Sequence, residues 1–132
     1  MDHQTQNKPT FNERQAMWRY QVTATLKDHA SIKPYLEWLF DGHVHSVCQW
    51  AEQAEVVHLE GNDHLSQHPP QVMSIYWFTS QAQFERYKQE GAPLLRAEGI
   101  AFSESIGGIE FERKHGWAWQ VRGEGGAYRQ KY

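Results

Sequence analysis

The chain has 132 residues, 39% hydrophobic and 22% charged, with a net charge of −3 and a pI near 6.2. These values fit one soluble globular domain and give no basic excess for nucleic acid. No run approaches the roughly 18 apolar residues of a membrane span, and the polar N-terminus has no secretory apolar core. Cys48 is the sole cysteine, so a disulfide framework within the chain is excluded and the cytoplasm is the default compartment. Six Trp and eight His in so short a chain imply a core of large rings, some of them free to line a pocket or a subunit contact.

Residues 1–16 carry little apolar content and no period, and read as a flexible N-terminal arm. Trp18–Leu26 then alternates. Trp18, Tyr20, Val22, Ala24 and Leu26 face one way, while Arg19, Gln21, Thr23 and Thr25 face the other, as in a strand. Ser31 is the expected helix cap, with Pro34 in the first turn. Ile32, Leu36, Leu39, His43 and Val47 fall at spacings of three and four, so a helix is expected to about Trp50, weakened at Gly42.

Ala54–Glu60 reads as a second strand and Gly61–Pro70 as a loop. Val72–Phe78 is apolar on both faces and needs cover on both. Ser80 and Gln83 form a capping box for the next helix. Pro93 should break it, leaving a short second piece, Pro93–Glu98, that stops at Gly99. Ile109–Arg113 alternates, Lys114–Gly116 reads as a turn, and Trp117–Val121 alternates again, which predicts a terminal hairpin. Gly123–Tyr132 reads as a flexible C-terminal tail.

The order is βαββαβ with an extra C-terminal strand, an α+β ferredoxin-like pattern over residues 17–122. Both helices would cover one sheet face. The doubly apolar strand Val72–Phe78 asks for a second sheet on the other, so a homodimer forming an α/β barrel is expected.

Several of these motifs resemble an uncharacterised bacterial family of short proteins in the dimeric α/β-barrel group. The matching residues are Tyr20-Gln21-Val22 in the first strand, Trp38 and His43-Val44 in the first helix, Tyr87, the step Ala92-Pro93-Leu94-Leu95-Arg96, and Phe102. The resemblance covers roughly residues 17–113 and implies the fold and the dimer. Two positions depart from it: Gly91 stands where the family has His, and His45 where it has Pro. The wider superfamily includes cofactor-independent monooxygenases, haem-degrading enzymes and small-molecule isomerases, a likeness at the level of fold.

Two histidines are candidate catalytic groups. His43 lies on the apolar helix stripe, where it is a general base at a cavity mouth or a histidine bonded at the core edge. His58 lies on the strand face opposite Val57 and Leu59. If that is the inter-sheet face, it joins Arg19, Gln21, Thr23 and Thr25 in a polar cluster, either a ligand site or a hydrated interface. Trp117 and Trp119 point the same way, to stack on a ligand or clamp a partner.

No metal is expected. His43 and His45 are about 200° apart on a helix, and Asp63, His64 and His68 sit in an irregular loop. Cys48 reads as an inert buried thiol. No phosphate loop, dinucleotide fingerprint or nucleophile elbow is present, and no cofactor is expected. The leading expectation is therefore a cytoplasmic homodimer that binds a small molecule or only associates. The alternatives are a cofactor-independent monooxygenase with a His base and a haem-binding protein.

Overall fold

The computed structural model describes residues 16–60, 68–121, 123 and 125. All but the last residue of the arm expected over residues 1–16, Asp63 and His64 of the loop, and nearly all of the tail after residue 122 lie outside the described residues. Four strands form one antiparallel sheet: β1 (Met17–Leu26), β2 (Gln53–Leu59), β3 (Gln71–Phe78) and β4 (Ile109–Ala118), in the order β2-β3-β1-β4. Helices α1 (Ile32–Trp38) and α2 (Val44–Val47) lie between β1 and β2, and α3 (Gln81–Glu90) and α4 (Ala92–Ser105) between β3 and β4.

The alternation read in β1 decides which face is covered. Trp18, Tyr20, Ala24 and Leu26 are buried, and on β3 so are Val72, Ser74, Tyr76 and Phe78. Cross-strand partners share a face, and the pairs Tyr20↔Tyr76 and Val22↔Ser74 set these two rows side by side. The helices lay Tyr35, Leu39, Val47, Phe84, Tyr87 and Leu95 against them. The core divides into two clusters: one under α2, α3 and the start of α4, the other under α1 and the remainder of α4.

Local chemistry places the helices. Ser80 caps α3 as expected, with the Gln83 N–H donating to Ser80 Oγ (3.0 Å), while the Gln83 side chain reaches one residue further back, its Oε1 accepting from the Thr79 N–H (3.0 Å) and hydroxyl (2.7 Å). A 3-10 turn, His29–Ser31, leads into α1 and is capped by Asp28, whose Oδ1 accepts from the Ser31 N–H (3.1 Å) and hydroxyl (2.9 Å); Ser31 is the N-cap residue of α1, but its side chain makes no capping bond. At Gly42, φ is +143°, a value that L side chains rarely adopt, and the helix there passes through a wide turn, Leu39–His43.

Three expectations are corrected. The terminal hairpin is one ten-residue strand. Lys114 and Gly116 do not turn but pair with Gln21 and Arg19, because β1 is long enough to offer a partner at every step. The piece after Pro93 runs on to Ser105, because Gly99 is not a terminus but the place where the Trp38 ring lies against α4. Gly107 and Gly108, both at positive φ, end that helix instead, and the Gly108 N–H bonds back to the Ser103 carbonyl (2.8 Å). Finally, Ile75 and Trp77, on the face away from the helices, are already buried within the single chain, with the Arg19 guanidinium 6.0 Å over the Trp77 ring.

Gly91, where the family resemblance has His, has a packing reason. A Cβ built there would lie 2.7 Å from two carbons of the Trp50 ring. Gly91→Ala is expected to destabilise the fold by about 1–3 kcal/mol. The urea midpoint should fall with the slope unchanged, and a second change, Trp50→Leu, should recover part of the loss.

Candidate functional site

The Gly42 turn, the centre of β1 and β3, the first half of α4 and the middle of β4 enclose a small cavity between helices and sheet. Its volume is about 30 Å³, room for about two waters. Apolar walls come from Val22, Leu39, Val47, Leu95 and Phe111. Polar groups come from Tyr20, Tyr35, Tyr76, Tyr87, Ser74, His43, Arg96 and Arg113.

His43 reaches it because the turn at Gly42 rotates the chain just before it. Its ring stacks on Trp38 with centroids 4.2 Å apart and planes 24° apart, and Trp38 stacks on Phe102 at 5.0 Å. His43 Nδ1 is buried and makes no hydrogen bond. Burial, helped by the charge of Arg113, lowers its pKa from 6.5 to about 4, so the ring is neutral at pH 7. His45, two residues on, is exposed. Among the described residues no group of three His, Cys, Asp or Glu is arranged to hold a metal.

The tyrosines around it stay protonated. Burial pushes Tyr35 up to about 12, against smaller opposing effects of Ser74 and Arg113, and also raises Tyr76 and Tyr87. Ser74 Oγ lies beside the Tyr35 and Tyr76 hydroxyls but makes no bond of hydrogen-bonding geometry, and it is buried. Arg96 donates from Nη2 to the Tyr20 hydroxyl (3.4 Å), while its Nε is buried without an acceptor. Three buried polar atoms, on His43, Ser74 and Arg96, thus stand without partners around one cavity. Buried polar groups are normally bonded, and the cavity has room for ordered water or a small guest group that would engage these three.

The other site expectations fall elsewhere. Arg19, Gln21 and Thr23 form a hydrogen-bonded row on the face away from the helices: Arg19 Nη1 donates to Gln21 Oε1 (2.9 Å), and Gln21 Nε2 to Thr23 Oγ1 (3.2 Å). His58 does not join them. It pairs with Val72, which places it on the helix side, near the sheet edge, 3.7 Å from the Glu60 carboxylate. The polar cluster expected from His58, Arg19, Gln21, Thr23 and Thr25 is therefore split between two faces, because β2 registers on β3 with His58 in the Val72–Ser74–Tyr76 row. Trp117 packs edge-on against Trp18 at 4.9 Å and is half exposed; neither it nor Trp119 lines the cavity. Cys48 is half-buried, and burial raises its thiol.

Arg96 and Arg113 were not among the sequence candidates, although both carry a sequence signal. Arg96 follows Ala92 and precedes Gly99 and Ser103 on the stripe that α4 buries, and Arg113 continues the inward row Ile109, Phe111 of β4. A charge on an apolar stripe is that signal.

Sheet order, helix placement and the enclosed cavity define an α+β domain of the ferredoxin-like class. The comparisons agree on the fold. The chain is similar to a dimeric ferredoxin-like protein from an uncultured marine organism (TM-score 0.63, 9% identity, 81% of this chain and 99% of that one). It is similar to an ethyl tert-butyl ether d (EthD) family protein from Bacillus halodurans (TM-score 0.55, 8% identity, 74% and 97%). It is also similar to SnoaB, a cofactor-independent oxygenase from Streptomyces nogalater (TM-score 0.52, 13% identity, 84% and 100%). At such identities the likeness is one of fold. No protein-family model matches the sequence, and no curated protein does.

Proposed function

We propose that this chain is a small-molecule-binding protein whose site is the helix–sheet cavity around His43, and that it works as a homodimer in the cytoplasm. The observation that carries the reading is the set of three unpartnered buried atoms, His43 Nδ1, Ser74 Oγ and Arg96 Nε, facing one cavity. A ligand that satisfied them would recover the desolvation each now bears, about 1–3 kcal/mol apiece. The dimer draws support from the marine ferredoxin-like structure, which is described as dimeric, and from the half-exposed outer face holding Met73, Val57, Leu59 and the Arg19–Gln21–Thr23 row. The apolar β3 strand is weaker support, since Ile75 and Trp77 find cover within one chain. Among the described residues no helix is long and apolar enough to cross a membrane.

Two measurements test this. Light scattering should give twice the chain mass, and a monomer at micromolar concentration would contradict the dimer. A ligand screen by thermal shift should yield compounds whose effect vanishes in His43→Leu; stabilisers unaffected by that change would move the site elsewhere.

A second reading, a cofactor-independent oxygenase with His43 as base, is favoured by one observation. A neutral imidazole with a free ring nitrogen beside a cavity can accept a proton, and a bound anion would raise the basicity that burial now lowers. Its test is oxygen uptake by an oxidisable phenol, lost in His43→Gln. The haem reading gains no support, because a porphyrin is many times larger than a 30 Å³ cavity and would have to part the helices from the sheet.

A further inference from the structure

The charges around the cavity are of one sign. Its lining includes Arg96 and Arg113 and no Asp or Glu. Among the described residues, the side-chain ion pairs engage other groups: His58 with Glu60, Arg86 with Glu90, Lys88 with Glu85 and Lys114 with Glu112. The glutamates nearest Arg113 in sequence cannot serve it. Glu110 and Glu112 pair with Thr25 and Thr23 and belong to the opposite sheet face, whereas Arg113 pairs with Val22 on the helix side.

The two arginines differ in depth. Arg96 is half-buried, with Nε enclosed and only a long 3.4 Å contact to the Tyr20 hydroxyl. Arg113 is exposed, its guanidinium 5.4 Å over the Phe111 ring, so it stands at the rim. A guanidinium drawn into an apolar pocket without a counter-charge is costly, and its planar fork is shaped for two oxygens in one plane. The remaining polar groups suit the same guest: the Tyr35, Tyr76 and Tyr87 hydroxyls keep their protons and can donate.

We infer that the cavity is selective for a small organic carboxylate, its two oxygens held by Arg96 within and Arg113 at the rim, with tyrosine hydroxyls completing the site. This inference rests on the reading that the cavity binds a small molecule, and it names the chemical class.

The test is calorimetric titration of the full chain with formate, acetate and propionate, each beside its uncharged amide, at fixed pH and ionic strength. At least one carboxylate should bind ten-fold or more tighter than its amide. Arg113→Gln, a change at an exposed position that should leave the circular dichroism spectrum intact, should weaken that carboxylate several-fold and leave the amide unchanged. Arg96→Lys, which keeps the charge but loses the fork, should weaken it further. Amides that bind as well as the acids would overturn the carboxylate inference while leaving the binding reading intact. Sulfate binding more tightly than every carboxylate would overturn it too. Silence from both series, with no hit in the wider thermal-shift screen, would remove the binding reading as well.

Discussion

Phe84→Ala is expected to destabilise the fold by about 3–5 kcal/mol, the upper end of what a single core truncation costs. Phe84 is 1% exposed and projects from α3 into the first core cluster. Its ring meets Tyr20 at 5.2 Å, Phe78 at 5.3 Å, His115 at 5.0 Å and Trp18 at 6.0 Å, and Lys88 Nζ lies 5.6 Å over it. Truncation leaves a void ringed by aromatic side chains that cannot collapse, because each is already fixed by another ring. It also frees α3 from β1 and β4 together. In a chain of this length each kcal/mol is worth about 3–5 °C, so the melting temperature should fall by on the order of 10–20 °C. Phe84→Leu, which refills most of the volume, should lose about 1 kcal/mol. Equal losses for the two variants would mean that the ring is not the keystone of that cluster.

The second large effect is a pH dependence that belongs to His43. Its pKa in the folded chain is about 4 against an ordinary value of 6.5, because burial and Arg113 both disfavour the imidazolium. Above pH 6.5 the ring is neutral in both folded and unfolded chains and contributes no slope. Below 6.5 the unfolded chain takes up a proton that the folded chain refuses, so stability falls as the pH drops, and the fall levels off once the pH passes below about 4. The window is therefore pH 6.5 to 4. Since part of the ring remains near solvent, a loss of about 2–3 kcal/mol is expected across it. Urea denaturation of the native chain and of His43→Gln at pH 7.5 and pH 4.5 isolates the effect from the other histidines. The native chain should lose about 2 kcal/mol more than the variant between the two pH values. Parallel losses would place His43 in a wetter setting than the cavity.

Much of this architecture is legible in the residues. Period-2 alternation in Trp18–Leu26 marks the covered face of β1, and the Ser80–Gln83 pair marks the start of α3. Elsewhere a distant contact overrides a local signal. Gly99 reads as a helix end because glycine usually is one, yet here it lies against Trp38 from another helix. Lys114–Gly116 reads as a turn because its composition is that of a turn, but ten residues of β1 hold it extended. The site is half visible in the sequence. His43 stands out as a polar residue on an apolar stripe. Arg96 and Arg113 sit on equally apolar stripes, but periodicity within single elements does not say that β1, β3, α4 and β4 bring those stripes to one point. His58 illustrates the converse: its own strand tells which residues it opposes, but only the register with β3 tells which side of the sheet that is.

The proposed binding site is the cavity between His43 and Arg96. A crystal structure of the protein purified from cells, and of the same crystals soaked in the tightest ligand from titration, tests it most directly. The expected result is density within hydrogen-bonding distance of His43 Nδ1 and the Arg96 guanidinium. A cavity filled by its own side chains, with the ligand seated on the Arg19–Gln21–Thr23 face, would contradict it.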